Sequence, residues 1–83
     1  MLKVAFTDHA LAQIKERGLS KIFVASAVRN PTLIKEQTDG RFKFIKTFRQ
    51  GAKRFLLIAI VEREDGAVMV VTVFKTSKIN KYL

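Results

Sequence analysis

The chain of 83 residues has no cysteine and no tryptophan, one proline, one histidine, one tyrosine and four glycines. Without cysteine, neither a disulfide framework nor a zinc–thiolate centre can form. A single histidine excludes any site that needs several imidazoles. There is no glycine-rich phosphate loop, no cysteine nucleophile and no Ser-His-Asp spacing. Carboxylates are scarce as well: seven Asp and Glu stand against sixteen Lys and Arg, for a net charge of +9. They are scattered, and Glu62, Glu64 and Asp65 surround a turn in a way that does not suit a Mg²⁺ site. The expectation is therefore a protein with no metal and no cofactor. Charges interrupt every apolar run before it reaches membrane-spanning length, and Met1 to Phe6 is too short for a signal peptide. A cytoplasmic chain with no membrane partner is expected. The shortage of Gly and Pro, with no low-complexity run, argues against disorder, and 83 residues fit one domain over 1–83.

What is present is positive charge, and it is unevenly placed. Arg41, Lys43, Lys46, Arg49, Lys53 and Arg54 lie between Gly40 and Val61 with no carboxylate among them. Lys75, Lys78 and Lys81 do the same between Gly66 and Leu83. Those nine cations equal the whole net charge, because the other seven Lys and Arg are matched by the seven Asp and Glu. Clustered cations gain affinity for a polyanion by displacing its counterions, so a nucleic acid is the expected partner. A solubilising face that binds nothing is the alternative reading.

Thr7 reads as a helix N-cap, and the 3.6-residue period places Ala10, Leu11 and Ile14 on one face of a helix from Asp8 to Arg17. Gly18 supplies the stop. Ser20 caps a second helix to about Arg29, with Ile22, Phe23, Ala25 and Val28 for burial, and Asn30-Pro31 ends it. Everything after Pro31 reads as strand: Thr32–Glu36, Arg41–Phe48, Arg54–Val61 and Ala67–Phe74, joined by turns at Thr38-Asp39-Gly40, Gln50-Gly51 and Glu64-Asp65-Gly66. The expected fold is α+β, with two N-terminal helices packed on a four-stranded antiparallel sheet. The last two strands are apolar at both parities, which implies cover on both faces. Two helices cover one face, so the other needs the tail, a second subunit in a homodimer, or a separate partner.

Four candidate features carry chemistry. His9, Gln13 and Glu16 share a helical face, where a carboxylate would tune a His used as general acid or base; an ordinary solvated face is the alternative. Lys75, Ser77 and Tyr82 in the basic tail could bind phosphate, donate hydrogen bonds and stack a base, or could be a frayed terminus. Arg54, opening an apolar strand, could clamp a phosphate or act as a gatekeeper against aggregation. Phe42, Phe44 and Phe48 resemble a stacking platform but also suit a core. If such a chain cuts RNA, the ribose 2′-OH would attack the adjacent phosphate. That step needs a base, an acid and cations, for which His9, Tyr82, Arg54 and Lys75 are the residue types.

The order of these pieces resembles a family. Phe6-Thr7-Asp8-His9-Ala10 opens the first helix, Glu16-Arg17-Gly18-Leu19-Ser20 joins the helices, Asn30-Pro31 opens the sheet, and Thr72-Val73-Phe74-Lys75-Thr76 with Tyr82 closes the chain. The arrangement is similar to the small RelE-like and BrnT-like proteins of prokaryotic toxin–antitoxin systems, in a branch with an HA…ERG…NP pattern. The resemblance implies a barnase-like fold, metal-independent endoribonuclease activity and a small acidic antitoxin. It also carries over catalytic roles for Arg54 and Lys75, with Tyr82 in the tail, and matches His9 and Arg17 to the branch's N-terminal pattern. The chain departs from the pattern in having Lys75 where BrnT-like tails carry Arg, and in lacking a carboxylate in the closing segment. RNA contacts are expected at Arg17, Arg41, Lys43, Arg49, Lys53, Lys78 and Lys81. A non-catalytic nucleic-acid-binding module, or a protein-interaction domain with an acidic partner, are the competing expectations.

Overall fold

The structure, a computed structural model, describes residues 2–83. In chain order the elements are β1 (Lys3–Phe6), α1 (Asp8–Glu16), α2 (Lys21–Arg29), β2 (Leu33–Glu36), β3 (Phe42–Gln50), β4 (Lys53–Glu64), β5 (Ala67–Thr76) and α3 (Ile79–Tyr82). Both expected caps form: the Thr7 hydroxyl accepts from the Ala10 N–H at 3.1 Å and the Ser20 hydroxyl from the Phe23 N–H at 3.2 Å. Gly18, at φ +63°, makes the left-handed turn between the helices that a side chain would strain.

The sheet corrects the expectation of four antiparallel strands. It has five, in the order β1-β5-β4-β3-β2, and β1 runs parallel to β5 with Val4 opposite Val68 and Phe6 opposite Val70. The four strands read from the sequence are all present, each antiparallel to its neighbour. Two elements go beyond the expected two helices and four strands: α3, a third helix in the tail, and β1, whose four residues carry no turn or alternation of their own and acquire a partner more than sixty residues away.

α1 and α2 cover one sheet face, burying Ala10, Ile14, Val24, Ala27 and Val28 against Phe44, Leu57, Ala59, Val61, Val70 and Val73. Each helix is rotated from the expected position. Leu11 is 39% exposed and Ile22 83%, while Gln13 and Val24 turn inward. Gln13 does so because it has work at the sheet edge, described below. The second face holds Ile45, Leu56 and Ile58, all fully buried. Its cover is the chain's own tail: Ile79 and Tyr82 of α3 pack there with Ile60 and Phe74, and the Phe74 and Tyr82 rings meet edge-on at 5.8 Å. The tail, one of the three covers expected, packs on this face.

One irregularity decides which side chains share a face. β5 carries a bulge, since Ile60 pairs with Thr72 but Val61 pairs with Val70, leaving Val71 without an opposite residue. Val68 and Val70 face the helices before the bulge, and Val73 faces them after it. The parity therefore switches from even to odd, and Lys75 emerges on the helix side.

A basic and aromatic cleft at one end of the sheet

Past Phe6, β5 loses β1 as a neighbour while still paired with β4, and α1 takes over the exposed edge. The Thr7 N–H donates to the Val70 carbonyl at 3.0 Å, and the Thr7 hydroxyl to the Val71 carbonyl at 3.3 Å. Farther along, the Val73 N–H donates to Gln13 Oε1 at 2.9 Å, and Arg17 Nη1 donates to the Val73 carbonyl at 2.7 Å. Side chains of α1 thus replace a strand along this edge and hold the α1–α2 turn beside the end of β5.

That placement forms a cleft of about 260 Å³, lined by Gly18, Leu19, Ser20, Phe23, Phe48, Arg49, Gln50 and Lys75. Its floor is aromatic. Phe23 meets Phe48 edge-on at 5.0 Å, and Phe48 stacks with Phe55 at 5.7 Å. Cations stand around the rings: Lys75 Nζ lies 4.8 Å and Lys53 Nζ 5.6 Å from the Phe55 centroid. Lys75 Nζ also donates to Gln50 Oε1 at 2.9 Å. The N-terminus of α2 opens here with no acidic residue in its first turn, so its dipole adds to the positive potential. No carboxylate, histidine or tyrosine lines this cleft.

The candidate residues are divided by the sheet. Lys75 lines the cleft, Lys53 stands beside it over the Phe55 ring, and Arg17, just before Gly18, donates to the Val73 carbonyl. Arg54 pairs across the hairpin with Arg49 on β3, and its side of β4 is the one shared with Leu56 and Ile58, away from the helices. Tyr82 lies on that second face too, but toward the other end of the strands. Its ring has Lys43 Nζ at 5.7 Å and Lys81 Nζ at 5.5 Å, and its carbonyl accepts from Lys35 Nζ at 3.1 Å. Along β3, Lys43 and Arg49 are six residues apart, which is about 20 Å of strand. His9 is exposed on the first turn of α1, outside the cleft lining. The four residues expected to perform catalysis are therefore not brought together. Arg41 is committed to Glu62, with Nη2 to Oε1 at 2.8 Å, and Lys78 is exposed just past β5.

Of the aromatic candidates, Phe44 is core, Phe42 packs beside it, and Phe48 reaches the cleft. Phe23 and Phe55 were not anticipated as site residues. The clue was the basic–aromatic run Lys53-Arg54-Phe55 directly after the Gly51 turn. Among the described residues no three His, Asp or Glu side chains gather as a metal-binding group. No helix among them is long and apolar enough to cross a membrane.

No curated protein and no solved structure matches the chain. A family model does, over residues 6–75, a span that contains the whole cleft and leaves α3 with Tyr82 outside. The chain belongs to that family, which is described as a domain of unknown function (DUF4258).

Proposed function

We propose that the protein binds RNA through the cleft between the α1–α2 turn and the β3–β4 hairpin. The observation that supports this most strongly is the coincidence of Lys53 and Lys75 with the Phe23, Phe48 and Phe55 rings at one end of a chain of net charge +9. Cations track the phosphates of a strand while aromatic rings accept its bases, and the pair of features together is the usual surface for nucleic acid. The lack of a carboxylate, histidine or tyrosine in the lining favours binding without chemistry at this position.

A second reading keeps the resemblance to RelE-like and BrnT-like toxins: a metal-independent endoribonuclease neutralised by a small acidic antitoxin. Lys75 in the cleft lining favours it, since its amine could hold a scissile phosphate and its transition-state charge, with Arg17 next to Gly18 of the same lining. The proton transfers would then fall to groups outside the lining, such as the RNA itself or a larger assembly.

Amide chemical-shift mapping with a short labelled RNA tests the binding reading. Shifts should centre on Gly18–Ser20, Arg49–Gln50 and Lys75, and leave the Asp65-Gly66 turn unmoved. Shifts confined to the Tyr82 face would contradict it.

A further inference from the structure

Charge is divided between the two ends of the strands. At the cleft end stand Arg17, Arg49, Lys53, Arg54, Lys75 and Lys78, with Glu16 as the nearest carboxylate in sequence. At the opposite end, the β2–β3 and β4–β5 turns and their flanks hold Glu36, Asp39, Glu62, Glu64 and Asp65, five of the seven carboxylates in the chain. Arg29, Arg41 and Arg63 are interspersed there, with Lys3 beside the β4–β5 turn and the paired Lys35 and Lys43 beside Glu36, and together they offset the carboxylates. The molecule is 38 Å in its longest dimension, and the twelve residues of β4 run about 40 Å between the two ends. That separation exceeds the Debye length at physiological salt, about 8 Å, so the two ends act independently on a polyanion.

We infer that the protein meets its nucleic acid end-on, taking one or two unpaired nucleotides into the cleft rather than lying along a strand or a duplex. The inference rests on the RNA-binding reading above and adds the form of the ligand. Phe23 and Phe48 line the cleft, and a base can reach those rings only if it is free of a pairing partner. Lys75 and Lys53, above the neighbouring Phe55, stand where the flanking phosphates of such a base would run. The first turn of α2 supplies N–H donors on the opposite wall, at Lys21 and Ile22, beyond the Ser20 cap. At the opposite end the carboxylates offset the cations, so the net positive charge is concentrated at the cleft end, and the Lys35, Lys43 and Lys81 group around Tyr82 lies on the other sheet face.

The test is a length series. Single-stranded RNAs of two to twelve nucleotides, and a blunt duplex of the longest sequence, are titrated against the full chain at low salt. Affinity per site should level off by about four nucleotides, the lower end of the range for single-strand sites. The duplex should bind at least tenfold more weakly. Phe23→Leu keeps the apolar packing but removes the ring. It should lower single-strand affinity roughly tenfold and leave duplex affinity unchanged. Affinity that keeps rising through eight to twelve nucleotides, or equal affinity for the duplex, overturns the end-on mode while leaving RNA binding intact. Absence of binding to every oligonucleotide overturns both. If Phe23→Leu fails to fold by circular dichroism, Phe48→Leu takes its place, and the length series decides by itself.

Discussion

The Val73 N–H donates to Gln13 Oε1 at 2.9 Å, a bond between residues sixty positions apart that ties the first helix to the last strand. Gln13 is 8% exposed, the one polar side chain buried among the described residues, and Val73 is fully buried. Gln13→Leu would remove the acceptor and leave the Val73 N–H unsatisfied in the interior. The expected cost is about 1–3 kcal/mol, the range for a buried donor without a partner. Urea denaturation checks it; an unchanged midpoint would mean that water or another group reaches the β5 edge.

The second sheet face depends on a short cover. Ile58 is fully buried there, so Ile58→Ala should cost about 2–5 kcal/mol. Tyr82→Ala removes the ring that packs on Phe74 and uncovers part of Ile45, Leu56 and Ile58. Light scattering should show more self-association in that variant than in the parent chain, because an exposed apolar patch seeks a partner. A monomeric variant of unchanged stability would show that α3 is not the cover.

Lys75 is exposed and its amine is held by Gln50 and the Phe55 face. Lys75→Ala should therefore alter stability by no more than about 0.5 kcal/mol while weakening RNA binding. His9→Ala should leave RNA affinity as it was, since His9 lies outside the cleft lining. Paired melting curves and anisotropy titrations separate the two effects. A loss of affinity in the His9 variant would move the binding surface onto α1.

If the chain cuts RNA, the products should end in a 2′,3′-cyclic phosphate or a 3′-phosphate, and EDTA should not stop the reaction. End-group analysis after incubation with and without ribosomes checks this. Metal-dependent cutting that leaves 5′-phosphates would remove the endoribonuclease reading in its proposed form.

Much of the fold is written locally. Thr7 and Ser20 cap the helices the spacing predicts, and the Gly51 and Gly66 turns, both at positive φ, join strands whose partners are adjacent in sequence. The parts that escape are those fixed by distant contacts. β1 is defined only by β5, α3 only by the sheet face it covers, and the rotation of α1 only by the edge that Gln13 satisfies. The site escapes for one further reason. Ala67–Phe74 is apolar at both parities, so nothing in it marks Val71 as a bulge. Without that bulge, alternation from Val68 and Val70 would put Lys75 on the face of Arg54 and Tyr82. With it, Lys75 joins Phe23 and Phe48, and the candidate site moves to the helix side.

The most direct test of the account is the salt dependence of RNA affinity for the parent chain and for a Lys53→Gln/Lys75→Gln double variant, measured with one short single strand. About three to four phosphate contacts give a log–log slope of roughly −2 to −3 for the parent on a single strand, and removing two contacts should flatten it by about 1.4. A slope that is the same in both proteins, or no binding by the parent at low salt, would contradict the cleft as the RNA-binding surface.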